Sequence, residues 1–501
     1  MDREQMSNEE NYCFDVAGYL IVPDVLTQEE IEACNSDLDQ KGTSPLSDSL
    51  AKLRDHPVLE WYLNQICGEE FRLDREPHLI GDAEEDVGAP LVGGNEPRDW
   101  ARAYNHQNDV RFCQGVLAIW ALADVNEGDG GFVLIPASHK NYVETPKDVL
   151  TGADDMELTV QPSLQAGDLL LCAETTLHGL RPWKGNGPQR LVACGYIGKN
   201  APASIRPDAT CEEEPPPEWL AELTPVQRAV MQGQESDNAS FPAVVRSDGE
   251  TSWIDESSEI FHPSIYIRDP DSVIDEKEFY FWDLCGHLLI RNVMDTAWLE
   301  AANEAIDKFA DRIVVGAAPD KGSKTLAGTG RPDLGGLFEL PKPYCDPFRE
   351  MIAHPAVIHR VNWMVGSGFR CGNATAICSV KGTAGHALHS GSDPARPGNG
   401  YLLQNGRAYC DSVNVGWQLR DVTEADGGFV CVPGSHKARY PMPPGVQSCD
   451  EPMGLVQHVS MKAGDVLIFL AGAQTHGAYP WRSDIQRRTV LMNYRSKNIL
   501  L

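Results

Sequence analysis

A chain of 501 residues is long enough for two or three domains, each with a core of its own, and with 42% hydrophobic and 23% charged residues it has globular composition. No apolar run approaches the roughly 18 residues of a membrane span, and a formal charge of −31 without any Lys/Arg cluster argues against nucleic acid or anionic lipid as partners. The 14 cysteines are scattered without CxxC pairs, and the acidic, polar opening Met1–Tyr12 lacks the apolar core of a signal peptide, so a cytoplasmic chain with reduced thiols is expected.

In chain order, the first expected elements are a strand and an amphipathic helix in GYLIVPDVLTQEEIEACNSDLD (Gly18–Asp39), a pattern that returns in GHLLIRNVMDTAWLEAANEAID (Gly286–Asp307). Further on, WALADVNEGDGGFVLIPASHK (Trp120–Lys140) and WQLRDVTEADGGFVCVPGSHK (Trp417–Lys437) agree at fourteen of 21 positions, at an offset of 297. The same offset pairs QAGD (Gln165–Asp168) with KAGD (Lys462–Asp465) and Gln107-Asn108 with Gln404-Asn405, while His56-Pro57 pairs with His354-Pro355 one residue further on. The chain therefore reads as a tandem repeat. After its helices each copy breaks into short strands rich in Val, Ile, Leu and aromatics between Gly, Pro, Asp and Asn, which indicates an antiparallel sandwich or barrel, jelly rolls included. Expected boundaries are an N-terminal domain over 1–240, a linker over 241–268 and a C-terminal domain over 269–501, with a short helical stretch near Leu223–Met231. The glycine-rich stretch Gly316–Gly336 has no counterpart in the first copy and is either a cover for a site or a neutral insertion.

Late in each copy an AGD turn leads through an apolar strand to a histidine, His178 or His476, followed by Pro-Trp; Trp183 and Trp481 are expected to pack. In the C-terminal copy a strand QRRTVLMNY follows, with Arg487 eleven and Arg488 twelve residues after His476. An arginine directed into an apolar barrel needs a carboxylate, and a small dicarboxylic ligand would satisfy it. Upstream, GTAGHALHSGSD supplies His389. Two histidines from different strands with an open coordination sphere suit non-haem iron(II), which binds dioxygen and a keto acid. His139 and His436 recur in both copies in P-x-SHK, which favours a structural role, and His106, matched by Leu403, reads as a loop histidine.

The GYLIVPDVLTQEEIEA opening, the DGGF-x-x-x-P-x-SHK segment, the AGD turn, the HG-x-x-PW element and the final arginine strand resemble the phytanoyl-CoA dioxygenase family, almost end to end in both copies. That resemblance implies a mainly β fold with flanking helices, two tandem double-stranded β-helix (jelly-roll or cupin-like) domains, and dependence on Fe(II) and 2-oxoglutarate. It carries the family's histidines onto His389 and His476 and its 2-oxoglutarate arginine onto Arg487, with Arg488, one residue along the strand and so on the other face, as the second candidate. The family's carboxylate ligand, two residues past the first histidine, falls on Gly391. Asp393 is the nearest acid that a tight bend would bring to the metal. In related halogenases Gly or Ala at this position leaves room for chloride, and His389-Ser390-Gly391 is similar to that pattern. The N-terminal copy has Val92 where His389 stands, and Gln189 and Arg190 after His178, so it is expected to be non-catalytic.

The expected function is oxidation of an unactivated C–H bond in a small organic substrate at the C-terminal copy. The alternatives are a tandem barrel that binds a carboxylate or a protein without metal, and a halogenase-like variant. Neither substrate nor oligomeric state is legible in the sequence.

Overall fold

A computed structural model describes residues 4–41, 47–81, 88–94, 103–107, 110–199, 201, 241–245, 251–254, 274–318, 323–366, 369–391, 400–404 and 407–496. It divides into two compact units, Met1–Pro202 with Val273–Leu501, and Ala203–Ser272. Both sequence copies thus lie in one unit. In the second unit the expected linker 241–268 contains an antiparallel strand pair; the expected helix near Leu223–Met231 lies outside the described residues.

In chain order the N-terminal half contributes β1 (Tyr19–Val22), β2 (Arg72–Leu79), β3 (Tyr104–Gln107), β4 (Val110–Cys113), β5 (Gly115–Ala121), β6 (Gly131–Leu134), β7 (Leu169–Ala173), β8 (His178–Arg181) and β9 (Leu191–Ile197). The pair in the second unit is β10 (Phe241–Val245) and β11 (Thr251–Ile254). The C-terminal half has β12 (His287–Ile290), β13 (Val314–Val315), β14 (Pro332–Leu334), β15 (Arg370–Ile377), β16 (His386–His389), β17 (Tyr401–Gln404), β18 (Arg407–Cys410), β19 (Ser412–Gln418), β20 (Gly428–Cys431), β21 (Gln457–His458), β22 (Val466–Leu470), β23 (His476–Tyr479) and β24 (Thr489–Arg495).

The architecture is mostly β with flanking helices, consistent with a cupin-like fold. The N-terminal half has a large sheet ordered β1-β7-β5-β9-β2, and the C-terminal half one ordered β12-β22-β19-β24-β15-β14-β13, which repeats the first order and extends it by two strands. A smaller sheet accompanies each: β6-β8 with bridges from Val92 to His178 and Leu134 to Val160, and β16-β23-β20-β21. The central strands β5, β7 and β9 are buried along their whole length, as expected where both faces are covered.

One element was not expected. Ahead of β1, where the sequence reads as a polar opening, Asn8–Ala17 is a helix, started by a Ser7/Glu10 capping box and ended at Gly18 with φ 82°. Its counterpart is Glu276–Cys285, capped by Asp275 and ended at Gly286 with φ 79°. Glycine is required at both ends for a second reason: a Cβ at Gly18 would lie 2.5 Å from His139 Nδ1, and one at Gly286 would lie 2.7 Å from His436 Nδ1. Each lead helix therefore packs directly on an SHK turn.

The described cysteines are free thiols, all but Cys371 buried. No helix among the described residues is long and apolar enough to cross a membrane.

Candidate active site

His476 opens β23 and His389 closes β16, and the two are directly paired across the antiparallel ladder, with ring centroids 4.3 Å apart. Each ring is oriented by a carbonyl two residues earlier in its own chain: His476 Nδ1 lies 2.8 Å from Gln474 O and His389 Nδ1 lies 3.2 Å from Ala387 O. Donation from Nδ1–H to these acceptors leaves both Nε2 lone pairs free, the tautomer a metal ligand needs. Burial, with His389 beside it, pulls the His476 pKa down to about 3, and burial lowers His389 too, so both rings are neutral at neutral pH.

They open into a cavity of about 410 Å³ between the two sheets, walled by Phe429, Phe469 and Leu491 and containing Arg487. The Arg487 side chain is buried at 7% exposure; its Nε donates to Thr489 Oγ1 at 3.1 Å, whose hydroxyl donates to Gln418 Oε1 at 2.8 Å. Burial pulls its guanidinium down to about 10, which still leaves it charged at neutral pH. Among the described residues it forms no ion pair. The carboxylate that acts on it, Asp333, is itself paired with Arg331, so this buried cation can receive an anion from the cavity.

Arg488 faces the other way. Its guanidinium pairs with Asp307 and donates to Asn303 O at 3.0 Å and Asn303 Oδ1 at 3.1 Å, tying the strand to helix Thr296–Lys308, and it does not line the cavity. As a candidate cofactor ligand it is therefore corrected to a structural residue: neighbours on a strand cannot share a face. Arg190 pairs with Asp39 in the same way in the N-terminal half.

Gly391 is described, at φ 129°, a conformation that side chains rarely adopt, and a Cβ there would come 3.2 Å from Thr475 Oγ1. The backbone at the position of the expected carboxylate is therefore suited to glycine. Asp393 lies outside the described residues. Among the described residues no group of three His, Cys, Asp or Glu is placed to hold a metal ion. Two neutral imidazoles and an unpaired guanidinium fit iron with a dicarboxylic co-substrate, and the remaining coordination positions need a donor from outside these side chains.

Three cavity residues escaped sequence reasoning. His386 lines the cavity with its ring 4.6 Å from His389. Residues three apart on a regular strand point to opposite faces, but a bulge between His386 and His389 resets the alternation. Arg331 and Asp333, paired at 2.8 Å, also line the cavity. They belong to the glycine-rich stretch and its strand β14, which with β13 extends the large sheet.

In the N-terminal half Val92 bridges His178 as His389 does His476, and Leu117 and Ile119 fill the interior where Asn414 and Gly416 line the C-terminal cavity. Gln189 stands in place of Arg487, and His106 packs 5.2 Å from Tyr440, away from this position. His139 and His436 are buried, each with Nε2 at the carbonyl of a lead-helix aspartate, 3.0 Å from Asp15 O and 2.9 Å from Asp283 O. Trp183 and Trp481 both donate from Nε1 to a carbonyl four residues on, at 2.8 Å.

Residues 282–489 match the family model for phytanoyl-CoA dioxygenase (PhyH). No curated protein matches the chain. Similar solved structures include HygX from Streptomyces hygroscopicus with nickel and 2-oxoglutarate bound, at 19% identity, 45% of this chain and 88% of that one, TM-score 0.38. The non-heme alpha ketoglutarate dependent epimerase SnoN is 19% identical over 44% of this chain and 82% of its own, TM-score 0.34, and the carbocyclase SnoK is 17% identical over 45% and 85%, TM-score 0.33, both from nogalamycin biosynthesis.

Proposed function

We propose that the chain is an Fe(II)/2-oxoglutarate-dependent oxygenase of the phytanoyl-CoA dioxygenase type, built from two tandem double-stranded β-helix domains, which oxidises a C–H bond of a small organic substrate in the C-terminal half. The observation that carries this reading is the convergence on one cavity of two adjacent, neutral imidazoles and a buried guanidinium that has no ion-pair partner among the described residues. The family-model match over residues 282–489 supports it.

His389 and His476 would hold iron, which when bound supplies the oxygen-activating chemistry. Arg487 would bind the distal carboxylate of 2-oxoglutarate, and Thr489 with Gln418 holds the guanidinium toward the cavity. Phe429 and Phe469 beside His476 exclude water from the imidazole. The filled N-terminal barrel, with Val92 and Gln189, takes no catalytic part.

Gly391 favours a second reading of the same site, in which a halide fills the position that an aspartate would take and the substrate is halogenated. Succinate formation from 2-oxoglutarate, measured with Fe(II) and with or without chloride and bromide, tests both. The oxygenase reading expects succinate without halide; strict dependence on halide selects the halogenase, and no succinate under either condition leaves a binding module.

A further inference from the structure

The two halves meet through a seam of buried charge related by the sequence repeat. Lys140 Nζ donates to Asp15 Oδ2 at 3.0 Å and to the backbone carbonyl of Lys437 at 3.0 Å; Lys437 Nζ donates to Asp283 Oδ2 at 2.7 Å and to the backbone carbonyl of Lys140 at 3.0 Å. The flanking contacts follow the same symmetry, one tyrosine from the aspartate's own half and one backbone N–H from the other half. Tyr104 Oη donates to Asp15 and Tyr401 Oη to Asp283, both at 2.7 Å, and the second carboxylate oxygens accept from Arg439 N at 2.8 Å and Tyr142 N at 3.0 Å in the opposite halves. Asp15 and Asp283 are fully buried.

The lead helices cross the seam too. Tyr12 and Phe14 share one apolar cluster with Leu388, Val430 and Val432, the outward residues of the histidine-bearing small sheet of the C-terminal half. Tyr280 and Leu284 are clustered in turn with Val133 and Ile135 of the N-terminal half. Each half thus backs the other's small sheet, the self-complementary arrangement of a twofold dimer interface enclosed within one chain.

From this seam a short path leads to the candidate metal site. The SHK turn that contains Lys437 starts at Ser435, whose Oγ accepts from the backbone N–H of Thr475 at 2.9 Å, while Val432 N donates to Thr475 O at 2.9 Å. Thr475 immediately precedes His476, and its hydroxyl donates to Ser390 O at 3.3 Å, next to His389. We infer that the N-terminal half is a built-in partner that positions the paired histidines of the C-terminal half, with Lys140 as the positioning residue acting through the Lys437 turn. The inference rests on the proposed metal role of His389 and His476.

The test uses the full chain with Lys140→Met/Asp15→Asn, which removes both buried charges together, and reads two quantities at a temperature where the variant is folded: Co(II) affinity, and the imidazole nitrogen signals of His476 in the metal-free protein. The expected result is a single Nδ1–H tautomer in the wild type, tautomer averaging in the variant, and roughly tenfold weaker Co(II) binding, the size typical of lost outer-shell support. Leu170→Ala, in the separate interior cluster of the N-terminal half that contains none of the seam residues, is the control for general destabilisation and should move neither quantity. If the double variant does not fold, Tyr104→Phe removes one donor to Asp15 and should shift both in the same direction by less. A folded seam variant with wild-type nitrogen signals and affinity overturns the inference. A wild-type chain that binds no Co(II) overturns the metal reading instead, and the nitrogen signals then report on the seam alone.

Discussion

At the scale of single residues, Arg487 and Arg488 illustrate how strand geometry assigns function. One guanidinium is satisfied by Asp307 and Asn303; the other donates to the Thr489 hydroxyl, faces the cavity and has no ion-pair partner among the described residues. Removing the unsatisfied charge costs no ion pair, so Arg487→Met should leave the midpoint of thermal unfolding unchanged or raised, while 2-oxoglutarate binding measured by calorimetry weakens at least about 100-fold, the scale of a lost charge-assisted pair. A fall in stability with binding intact would show that Arg487 is structural. That Val92 stands in the first copy where the second has His389 was legible from the repeat; the direct strand pairing of each with the late histidine of its own copy was not. His386 was not legible: period-two alternation places it opposite His389, and only the bulge brings both to the cavity.

At the scale of elements, the two halves share one five-strand order, which two further strands extend in the C-terminal half, and their interiors are filled differently. Leu117 and Ile119 on β5 occupy the space that Asn414 and Gly416 leave open on β19. These differences lie at the 297 offset and are readable in principle, but buried side chains lining a cavity look like any others until the strand faces are known. A Cβ at Gly416 would meet only Thr489 Cγ2 at 3.5 Å and Leu467 O at 3.9 Å, so there is room for a larger side chain. Gly416→Ile should fold stably, since it fills space in a strand where glycine is disfavoured by about 0.5–1 kcal/mol, and should lose most 2-oxoglutarate binding; unaltered binding would place the co-substrate elsewhere. The lead helices were missed because Met1–Tyr12 reads as polar while the apolar residues from Tyr12 to Ala17 are few and close to the first strand. The glycine-rich stretch was recognised as peculiar to one half, but its contribution of Arg331 and Asp333 to the cavity depends on added strands that composition does not reveal.

At the scale of the whole molecule, the repeat was legible in the SHK turns, whereas their part in joining the halves was not, because a lysine paired with an aspartate from a distant helix leaves no local signature. The same region sets the acid response. Burial pulls His139 to about 3 and His287 to about 4, and holds His436 well below its ordinary value. With folded values depressed below the unfolded one near 6.5, the unfolded chain binds more protons as pH falls, so the stability these neutral rings contribute is present above about pH 6.5 and lost toward pH 3 to 4. For three such groups the slope is roughly 4 kcal/mol per pH unit below about pH 6. Urea unfolding at pH 7 and pH 5.5 should show the drop, and equal stabilities would mean that these imidazoles are solvated. The central claim is that a single iron site lies in the C-terminal half, and it is tested most directly by anaerobic Fe(II) binding in the presence of 2-oxoglutarate, comparing wild type, His476→Ala and His178→Ala. One equivalent of iron per chain, abolished by the first substitution and retained after the second, is the predicted result; equal loss from both, or no iron in the wild type, would contradict it.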